Sequence, residues 1–325
     1  MPTFAVLHPI PEAALGLLER EGEVRVGSGT GPLPAAELEQ LVTGADAILT
    51  LPTDPVDGAL VEAAGPSLRV VANVAVGYDN IAVADLAARG VTVTNTPSVL
   101  TAATADLALA LILMVTRRLG EGERLIRSGT DWAVSLDFML GRSLQGRVLG
   151  VVGMGQIGRA MAARARGLGM RIVYFNRSRA SAEVEAQLDA TRLQLGELLA
   201  TADVVTLHCP LTAETRHLID AAALARMKPS AYLVNTSRGP VVDEAALAAA
   251  LDAGTIAGAA LDVYEHEPKV HPDLLGLDNV VLVPHLGSAT VETREEMASL
   301  AARNAIEVAA GRPPLTPVGG PPARI

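Results

Sequence analysis

The sequence predicts an α/β protein built from two doubly wound parallel-sheet domains. Strand-like apolar runs alternate with Ala- and Leu-rich helical stretches along almost the whole chain, and this alternation is typical of parallel sheets with helical crossovers. A glycine-rich turn, Gly153-Met154-Gly155-Gln156-Ile157-Gly158, lies near the middle of the 325 residues. Because a dinucleotide-binding fold normally begins at this turn, the half before it is predicted to be a separate domain.

The regular elements can be predicted in order from this pattern. Strands are expected at residues 4–7, 24–26, 47–50, 69–73, 91–94, 148–152, 171–175, 204–207, 231–235, 258–262 and 280–283. A helix over 155–168 follows the glycine turn, and a last helix is predicted over 290–310. The apolar stretch 99–116, with Ser98 as its N-cap, is predicted to be a buried helix between the domains, because its uninterrupted part falls short of the roughly 20 residues of a membrane span.

The glycine turn is predicted to bind the pyrophosphate of a dinucleotide. A strand leads into it and a helix leads out of it, which is the context that this motif needs. Gly153 permits the tight turn, Gly155 lets the backbone approach the phosphates, and Gly158 lets helix and strand pack closely. The free N–H groups and the positive dipole end of the helix then face the phosphates.

The residues after the second strand of this domain predict which dinucleotide binds. An acidic residue there would bind the ribose 2′-hydroxyl of NAD, whereas arginine accommodates the 2′-phosphate of NADP. The chain has Asn176, Arg177, Ser178 and Arg179 at this place and no acid. Charge-assisted hydrogen bonds are worth about 1.5–3 kcal/mol each, so the sequence predicts NADP(H), with NAD(H) as the weaker cofactor. A solvated basic loop is the competing interpretation.

The last three predicted strands are each followed by an ionisable side chain, in the order Arg238, Glu267 and His285. Ligands of open parallel sheets bind at the carboxyl ends of strands, so these residues are predicted to form a catalytic set. An arginine can fork onto the carboxylate and carbonyl oxygens of a 2-oxo acid. A histidine can donate a proton, and a neighbouring carboxylate would stabilise its imidazolium form and orient the ring.

On these residues and motifs the chain resembles the D-2-hydroxy-acid dehydrogenase family over essentially its whole length, and most closely its glyoxylate/hydroxypyruvate reductase branch. The resemblance implies a flavodoxin-like substrate domain of residues 1–97 and 290–325, with a Rossmann cofactor domain of residues 98–289 inserted into it. It implies NADPH-dependent reduction of glyoxylate and hydroxypyruvate to the D-2-hydroxy acids. It also implies a homodimer.

The resemblance assigns a role to each residue of the catalytic set. Arg238 would bind the substrate, Glu267 would be the carboxylate partner, and His285 would donate the proton after NADPH delivers hydride to the carbonyl carbon. In addition, Asp262 is expected to contact the nicotinamide carboxamide.

The motifs above and the resemblance together match a larger set of residues to the cofactor. Its members lie in the glycine turn, in loops after strands or on the apolar helix. They are Thr104, Gly153, Gly155, Gln156, Ile157, Gly158, Asn176, Arg177, Ser178, Arg179, His208, Cys209, Pro210, Thr215, Thr236, Ser237, Asp262 and Gly287.

The substrate side is matched in the first half of the chain. Residues 73–80 resemble the family's substrate loop, in which the backbone N–H groups of Val76 and Gly77 hold the substrate carboxylate. Leu51 is expected to line the pocket as well. The loop has no Lys or Arg for a substrate phosphate, so phosphate monoesters are expected to be poor substrates.

One departure from the family pattern affects the substrate pocket. Many relatives carry a second tryptophan four residues after Trp132, whereas this chain has Leu136 there. The pocket walls are expected around Leu51, Trp132 and Met139, and in the family this region is often completed across a dimer interface. The size of the pocket is therefore expected to differ.

The composition agrees with a cytoplasmic enzyme. The formal charge of −10 argues against nucleic acids and anionic membranes as partners. The single cysteine, Cys209, fits a reducing compartment, and the first residues lack the features of a signal peptide. No metal site is predicted, because Val270 stands where an H-E-x-x-H motif beginning at His266 needs its second histidine, and Pro268 would break its helix.

Two alternatives to a glyoxylate/hydroxypyruvate reductase stay open. One is a dehydrogenase of another 2-hydroxy acid, such as 3-phosphoglycerate or 2-ketogluconate. The other is a non-catalytic co-repressor that senses the cofactor, since this fold also serves that use. The chain ends soon after its closing helix, which disfavours the regulatory domain of some phosphoglycerate enzymes. The joint presence of Arg238, Glu267 and His285 disfavours the co-repressor.

Overall fold

The computed structural model describes residues 1–29, 31 and 33–319. The strands, in chain order, are β1 (Thr3–Val6), β2 (Glu23–Val26), β3 (Ala47–Thr50), β4 (Val70–Asn73), β5 (Thr92–Thr94), β6 (Val148–Val152), β7 (Arg171–Phe175), β8 (Ala190–Arg192), β9 (Val204–Leu207), β10 (Tyr232–Asn235), β11 (Gly258–Leu261) and β12 (Val280–Leu282). The helices are α1 (Glu12–Glu19), α2 (Ala35–Val42), α3 (Gly58–Ala64), α4 (Val83–Ala88), α5 (Thr101–Thr116), α6 (Leu119–Arg127), α7 (Gln156–Gly167), α8 (Ala182–Leu188), α9 (Leu195–Thr201), α10 (Ala221–Leu224), α11 (Glu244–Asp252), α12 (Pro272–Leu275) and α13 (Val291–Ala309). Among the described residues, none of these helices has the length and apolar character needed to cross a membrane.

The chain divides into two compact units. The first comprises Met1–Leu100 and the chain from Ala289 onward, and the second comprises Thr101–Ser288. Each unit holds one sheet in which every strand runs parallel to its neighbours. The predicted fold class, two parallel-sheet α/β domains, is confirmed.

The first unit has a five-stranded sheet in the order β2-β1-β3-β4-β5, which is the flavodoxin-like order. Its central strands β3 and β4 are buried on both faces, as their apolar sequences require. Ile48, Val71 and Leu86 are fully buried in its core. The last helix, α13, packs on α1, β3 and β4, so the chain after Ala289 completes the unit that the first residues begin.

The second unit has a seven-stranded sheet in the order β12-β11-β10-β9-β6-β7-β8. Strand order reverses between β6 and β9, as in doubly wound dinucleotide-binding sheets, and ligands bind at the carboxyl ends of the strands next to such a reversal. The glycine turn follows β6 directly. Because Val152 pairs with Phe175 on one side and with Leu207 on the other, the loops after β6, β7 and β9 leave the sheet side by side.

Two details of the predicted elements are wrong. The strand β8 was not predicted, because its three residues alternate between buried, exposed and half-buried and carry no apolar run. Ser98 is not the N-cap of α5: the helix begins at Thr101, and Ser98 has a φ of 74°, whereas a capping residue adopts an extended backbone. The helix α5 is nevertheless buried along one face, where it packs on α7, β10 and β11.

Candidate active site

The strands β10, β11 and β12 are neighbours in the second unit, so their following loops lie together. Nδ1 of His285 is 2.9 Å from Oε2 of Glu267. A carboxylate only accepts hydrogen bonds, so Nδ1 carries the proton of this contact and Nε2 is the nitrogen available for chemistry. Among the described residues Nε2 has no partner, and the His285 side chain is 38% exposed. The loops after β11 and β12 thus form a histidine–carboxylate pair that can transfer a proton to a ligand.

The carboxylate of Glu267 is held in its ionised form. Burial by itself would raise the pKa of Glu267, but the hydrogen bond and positive charge of His285, the backbone N–H of Tyr264 and the charge of Arg238 outweigh burial and lower that pKa. The Tyr264 amide donates to Oε1 at 3.0 Å, so the two carboxylate oxygens have separate partners. Glu267 can therefore orient the imidazole ring and stabilise its protonated form.

The backbone of His285 has a left-handed conformation, with a φ of 52°. Such a conformation persists in a non-glycine residue when its surroundings fix it. Asp262 does this: its carbonyl accepts the His285 N–H at 2.9 Å, and its carboxylate oxygens accept the N–H groups of Leu286 at 2.5 Å and Gly287 at 2.8 Å. Asp262 is fully buried and its burial raises the pKa of the carboxyl. Its side chain thus fixes the loop that presents His285.

Arg238 follows β10 and begins a short 3₁₀ turn, Gly239–Val241. Its Nη1 donates to the Ser237 carbonyl at 2.9 Å, and its own carbonyl accepts from Nδ2 of Asn235 at 2.9 Å. A Cβ atom on Gly239 would lie 1.8 Å from the carbonyl carbon of Tyr264. Only glycine permits this approach of the loops after β10 and β11, and sequence reasoning missed it. The glycine directly after the predicted arginine, in Ser237-Arg238-Gly239, was the sequence signal for this close approach.

A second group of ionisable residues supports the loop that carries Glu267. Oε1 of Glu265 is 2.6 Å from Nε2 of His217, and Oε2 of Glu265 accepts the Glu244 N–H at 3.0 Å. In return, Oε1 of Glu244 accepts the Glu265 N–H at 2.7 Å. Glu244 is buried and its burial raises its pKa. No sequence signal identified this scaffold, because its contacts join residues that are 21 to 48 positions apart.

The glycine turn after β6 has the geometry of a phosphate-binding turn. Gly153 has a φ of 98°, and a Cβ atom on Gly158 would lie 2.0 Å from the Gly153 carbonyl oxygen. A Cβ atom on Gly155, by contrast, would have no neighbouring atom within 4 Å. Gly155 is the N-cap of α7, a helix of 12 residues. The open space at Gly155 thus fits a pyrophosphate at the helix N-terminus.

Two buried polar atoms at the ends of β9 and β10 have no hydrogen-bond partner among the described residues. They are Nδ1 of His208 and Oγ1 of Thr236. Burial lowers the pKa of His208 to about 4, so the ring is neutral. Its Nε2 is 2.9 Å from the Thr206 hydroxyl, whereas its Nδ1 has no partner among the described residues. Buried polar atoms in proteins are normally satisfied. Both atoms therefore fit a polar ligand such as a dinucleotide at this edge of the sheet.

Several other residues matched to the cofactor have structural partners of their own. Thr104 donates to the Gly287 carbonyl at 3.1 Å. The Thr215 hydroxyl donates to the Pro210 carbonyl at 2.7 Å and accepts the Thr212 N–H, so it closes the loop after β9. Oε1 of Gln156 is 3.4 Å from the Thr101 hydroxyl, and the Ser237 hydroxyl donates to Oδ1 of Asn235 at 2.8 Å.

Cys209 is a free, half-buried cysteine. Burial raises the pKa of the Cys209 thiol to about 11, which leaves it protonated and unsuited to act as a nucleophile.

The two arginines of the basic loop after β7 differ in their surroundings. The Arg179 guanidinium donates to both carboxylate oxygens of Glu185, at 2.9 to 3.1 Å. Arg177 is exposed and has no hydrogen bond to a carboxylate among the described residues. Nδ2 of Asn176 donates to the Ser178 carbonyl at 3.0 Å and shapes the turn. Of the two predicted phosphate ligands, Arg177 is thus the one whose guanidinium is not already engaged by an acid.

In the first unit, the loop after β4 holds two backbone N–H groups available for a ligand. The carbonyl of Gly77 accepts from Nδ2 of Asn73 at 2.7 Å, and the carbonyl of Val76 accepts from Nδ2 of Asn95 at 2.8 Å. Within the described part of the chain, neither the Val76 nor the Gly77 N–H has an acceptor. The two carbonyls are fixed while their amides stay open, which fits an anion such as a carboxylate.

Leu51 lies at the end of β3 in the same unit, beside a buried histidine–aspartate pair. Its N–H donates to Oδ2 of Asp54 at 2.7 Å, and Oδ1 of Asp54 is 2.6 Å from Nε2 of His8. His8 is 5% exposed, and its ring binds this carboxylate. The pair fixes the backbone that presents Leu51.

The segment after α6 exposes a row of apolar side chains. Trp132 stacks on Phe138, with ring centroids 6.1 Å apart, and is still 53% exposed. Leu136, at the position of the second family tryptophan, is 99% exposed. Met139 instead lines a cavity next to α6. Within the second unit, Trp132 and Leu136 therefore contact little else.

Comparison with known proteins identifies the family. The model of the "D-isomer specific 2-hydroxyacid dehydrogenase, NAD binding domain" matches residues 109–287. The glyoxylate reductase of Thermococcus litoralis is 47% identical over 319 residues, which cover 96% of this chain and 95% of that protein. The chain belongs to the D-isomer specific 2-hydroxyacid dehydrogenase family. The range matched by the family model, residues 109–287 of this chain, contains the glycine turn, Arg238, Glu267 and His285.

Two solved structures resemble the chain over nearly its full length. A protein from Thermus thermophilus has a TM-score of 0.91 and 43% identity, with 98% of this chain and 100% of that chain covered. An NADPH-dependent glyoxylate/hydroxypyruvate reductase from Sinorhizobium meliloti, in complex with NADP and malonate, has a TM-score of 0.84 and 35% identity, with 98% and 97% covered. The folds of both units of this dehydrogenase thus also occur in other proteins of known structure.

Proposed function

We propose that this dehydrogenase reduces small 2-oxo acids, glyoxylate and hydroxypyruvate, to the D-2-hydroxy acids with NADPH. The observation that carries the proposal is the contact of His285 with Glu267 at 2.9 Å, in loops adjacent to that of Arg238. The first unit would be the substrate domain and the second the cofactor domain. The family model is that of an NAD-binding domain, and the T. litoralis relative is named a glyoxylate reductase.

The mechanism follows from the residues of the second unit. NADPH, when bound at the glycine turn, supplies the hydride. Arg238 forks onto the carboxylate and carbonyl oxygens of the substrate, fixes the carbonyl and polarises it. Nε2 of protonated His285 then gives its proton to the carbonyl oxygen as negative charge develops there. Glu267 accepts a hydrogen bond from Nδ1–H of His285 throughout the reaction, so it keeps the ring oriented and stabilises the charge of the ring.

The residues around the cofactor support NADPH rather than NADH. The loop after β7 has no acid to accept a hydrogen bond from the ribose 2′-hydroxyl of NADH, and Arg177 in this loop is exposed. A 2′-phosphate there would gain charge-assisted hydrogen bonds worth about 1.5–3 kcal/mol each. The S. meliloti reductase, which is 35% identical, is named NADPH-dependent and was crystallised with NADP.

A homodimer in the cytoplasm would complete the proposal. The exposed apolar side chains after α6, with Leu136 at 99% and Trp132 at 53% exposure, would be covered by a second copy of the chain. The single cysteine, Cys209, fits a reducing compartment.

The substrate range is predicted from the charges of the first unit. The loops at 51–56 and 74–82 contain no Lys or Arg, and they contain Asp54 and Asp79. We therefore expect turnover of glyoxylate and hydroxypyruvate, and a kcat/KM for phosphohydroxypyruvate that is lower by at least about tenfold, because its phosphate would have to be desolvated without a cation. The measurement is a panel of 2-oxo acids assayed with NADPH and with NADH. If phosphohydroxypyruvate or 2-ketogluconate were the best substrate of the panel, the substrate assignment would be wrong while the catalytic residues would stand.

The coupling of Glu267 to His285 predicts a change in pH dependence. The hydrogen bond and charge of His285 lower the pKa of Glu267, so the carboxylate is ionised and can stabilise positive charge on the ring. In Glu267→Gln the imidazolium loses this stabilising charge. Because reduction needs the protonated ring, we expect the alkaline limb of the kcat/KM profile to move to lower pH. Glu295→Gln, at an exposed position of α13, is the matched control; a profile that is the same in both variants would show that the pair is not coupled.

A further inference from the structure

We propose that Arg192 is a specificity-determining residue for the cofactor, which positions the loop 176–179 so that it can bind a 2′-phosphate. The inference rests on the proposed preference for NADPH. Arg192 is the last residue of β8, the strand that the sequence pattern did not reveal. It lies outside the basic loop after β7, so the loop sequence alone gave no reason to assign it a role.

Strand pairing places Arg192 beside the basic loop. In the register of β7 with β8, Tyr174 pairs with Arg192, so the side chain leaves the sheet at the edge where β7 ends. Nη2 of Arg192 donates to the carbonyl of Asn176 and to the carbonyl of Arg177, both at 3.1 Å. One guanidinium nitrogen therefore holds two consecutive carbonyls. The direction of the peptides that carry Arg177 and Ser178 is fixed by this contact.

The charged groups around the loop distinguish Arg192 from Arg179. Arg179 is bound through its guanidinium to both oxygens of Glu185, and Glu185 also accepts the Tyr174 hydroxyl at 2.6 Å. The positive charge of Arg179 is therefore largely compensated by the carboxylate of Glu185. Among the described residues Arg192 has hydrogen bonds only to carbonyls, and it acts on Glu185 through its charge alone. Arg177 likewise acts on Glu214 through its charge alone.

A further observation indicates that the Arg192 side chain is incompletely satisfied by the protein. Its Nε is buried and has no hydrogen-bond partner among the described residues. Arg192 and Arg179 also line the same cavity of about 340 Å³, together with Gln194 and Glu197. A buried N–H of a guanidinium without an acceptor is costly. An anion next to the loop would lower this cost, because the guanidinium, which has no hydrogen bond to a carboxylate among the described residues, would gain a negatively charged neighbour.

The inference predicts a selective effect of Arg192→Gln. Without the clamp, the loop would no longer hold Arg177 and Ser178 in one arrangement, and a cation would be lost. The affinity for adenosine 2′,5′-bisphosphate should fall by about tenfold, which corresponds to about 1.4 kcal/mol. The affinity for 5′-AMP should not fall comparably, because AMP lacks the 2′-phosphate. The kcat at saturating NADPH should also be retained, since Arg192 does not contact the reacting atoms.

The test is calorimetric titration of the full-length chain with the two nucleotides. Arg177→Gln is the positive control and should lose affinity for the bisphosphate in the same way. Arg171→Gln is the matched control: it removes the same charge from an exposed arginine at the opposite end of β7, about 13 Å away along the strand, and should change neither affinity. Retained AMP binding in Arg192→Gln reports that the variant is folded.

Three results would overturn the inference. One is an Arg192→Gln variant that binds the bisphosphate as well as the parent while Arg177→Gln does not. Another is an equal loss for bisphosphate and AMP, which would give Arg192 a general structural role only. Equal binding of the two nucleotides by the parent would refute the proposed NADPH preference itself, and the inference with it. Failure of the proposed function thus shows in the parent alone, whereas failure of the Arg192 inference shows only between the variants.

Discussion

Replacing His285 by alanine should lower kcat for glyoxylate reduction by about 10²–10⁴, the usual contribution of a positioned general acid. Nδ1 of His285 is held by Glu267 at 2.9 Å, so Nε2 is the only ring nitrogen left to protonate the substrate. The loop around it is fixed by Asp262 through three backbone N–H groups. Water would have to replace the acid in the variant. Steady-state kinetics with saturating NADPH measure the loss.

The neighbouring residue His266 provides a matched control for this prediction. His266 is exposed and lies one position before Glu267, so His266→Ala removes an imidazole from the same segment without touching the pair. It should keep the kcat of the parent. NADPH affinity should be unchanged in both variants, because neither removes a residue of the glycine turn. If His285→Ala kept most of the parent's kcat, the proton would have to come from another donor.

Replacing Arg238 by glutamine should lower kcat/KM for glyoxylate by about 10²–10⁴. The side chain is proposed to make two charge-assisted hydrogen bonds to the substrate, each worth about 1.5–3 kcal/mol. The geometry that supports this is local: the Arg238 carbonyl is held by Asn235 at 2.9 Å, and Gly239 brings the loop against that of Tyr264. Arg238→Lys keeps the charge but loses the planar fork, so its kcat/KM should lie between those of the parent and Arg238→Gln.

The affinity for NADPH separates substrate recognition from damage to the fold. Both Arg238 variants should bind NADPH as the parent does. If Arg238→Gln kept its kcat/KM for glyoxylate, or lost its affinity for NADPH to the same extent, Arg238 would not be the residue that recognises the 2-oxo acid.

The strands and the order of the catalytic residues could be predicted from the sequence because they depend on local patterns. Buried parallel strands have to be apolar along most of their length, and this holds for β4, β6 and β9. Arg238, Glu267 and His285 each follow such a run, so their placement at one edge of the sheet needed only the rule that parallel strands share a direction. The short edge strand β8 has no such pattern and was missed.

The supporting residues could not be predicted, because their roles arise from contacts between distant parts of the chain. Glu244 and His217 hold the Glu267 loop from separate elements, and neither has a motif of its own. Arg192 reaches the basic loop only because β8 pairs with β7. Likewise, the sequence suggested that Arg179 is free for a phosphate, whereas the start of α8 presents Glu185 to its guanidinium.

The most direct test of the central claim is reduction of hydroxypyruvate with NADPH, followed by chiral analysis of the glycerate formed. The claim is that Arg238, Glu267 and His285 serve a D-specific, NADPH-dependent reduction of small 2-oxo acids. We predict that NADPH is oxidised in step with glycerate formation, that the product is D-glycerate, and that NADH supports the reaction with a lower kcat/KM. Formation of L-glycerate, or no NADPH oxidation with either hydroxypyruvate or glyoxylate, would contradict the account.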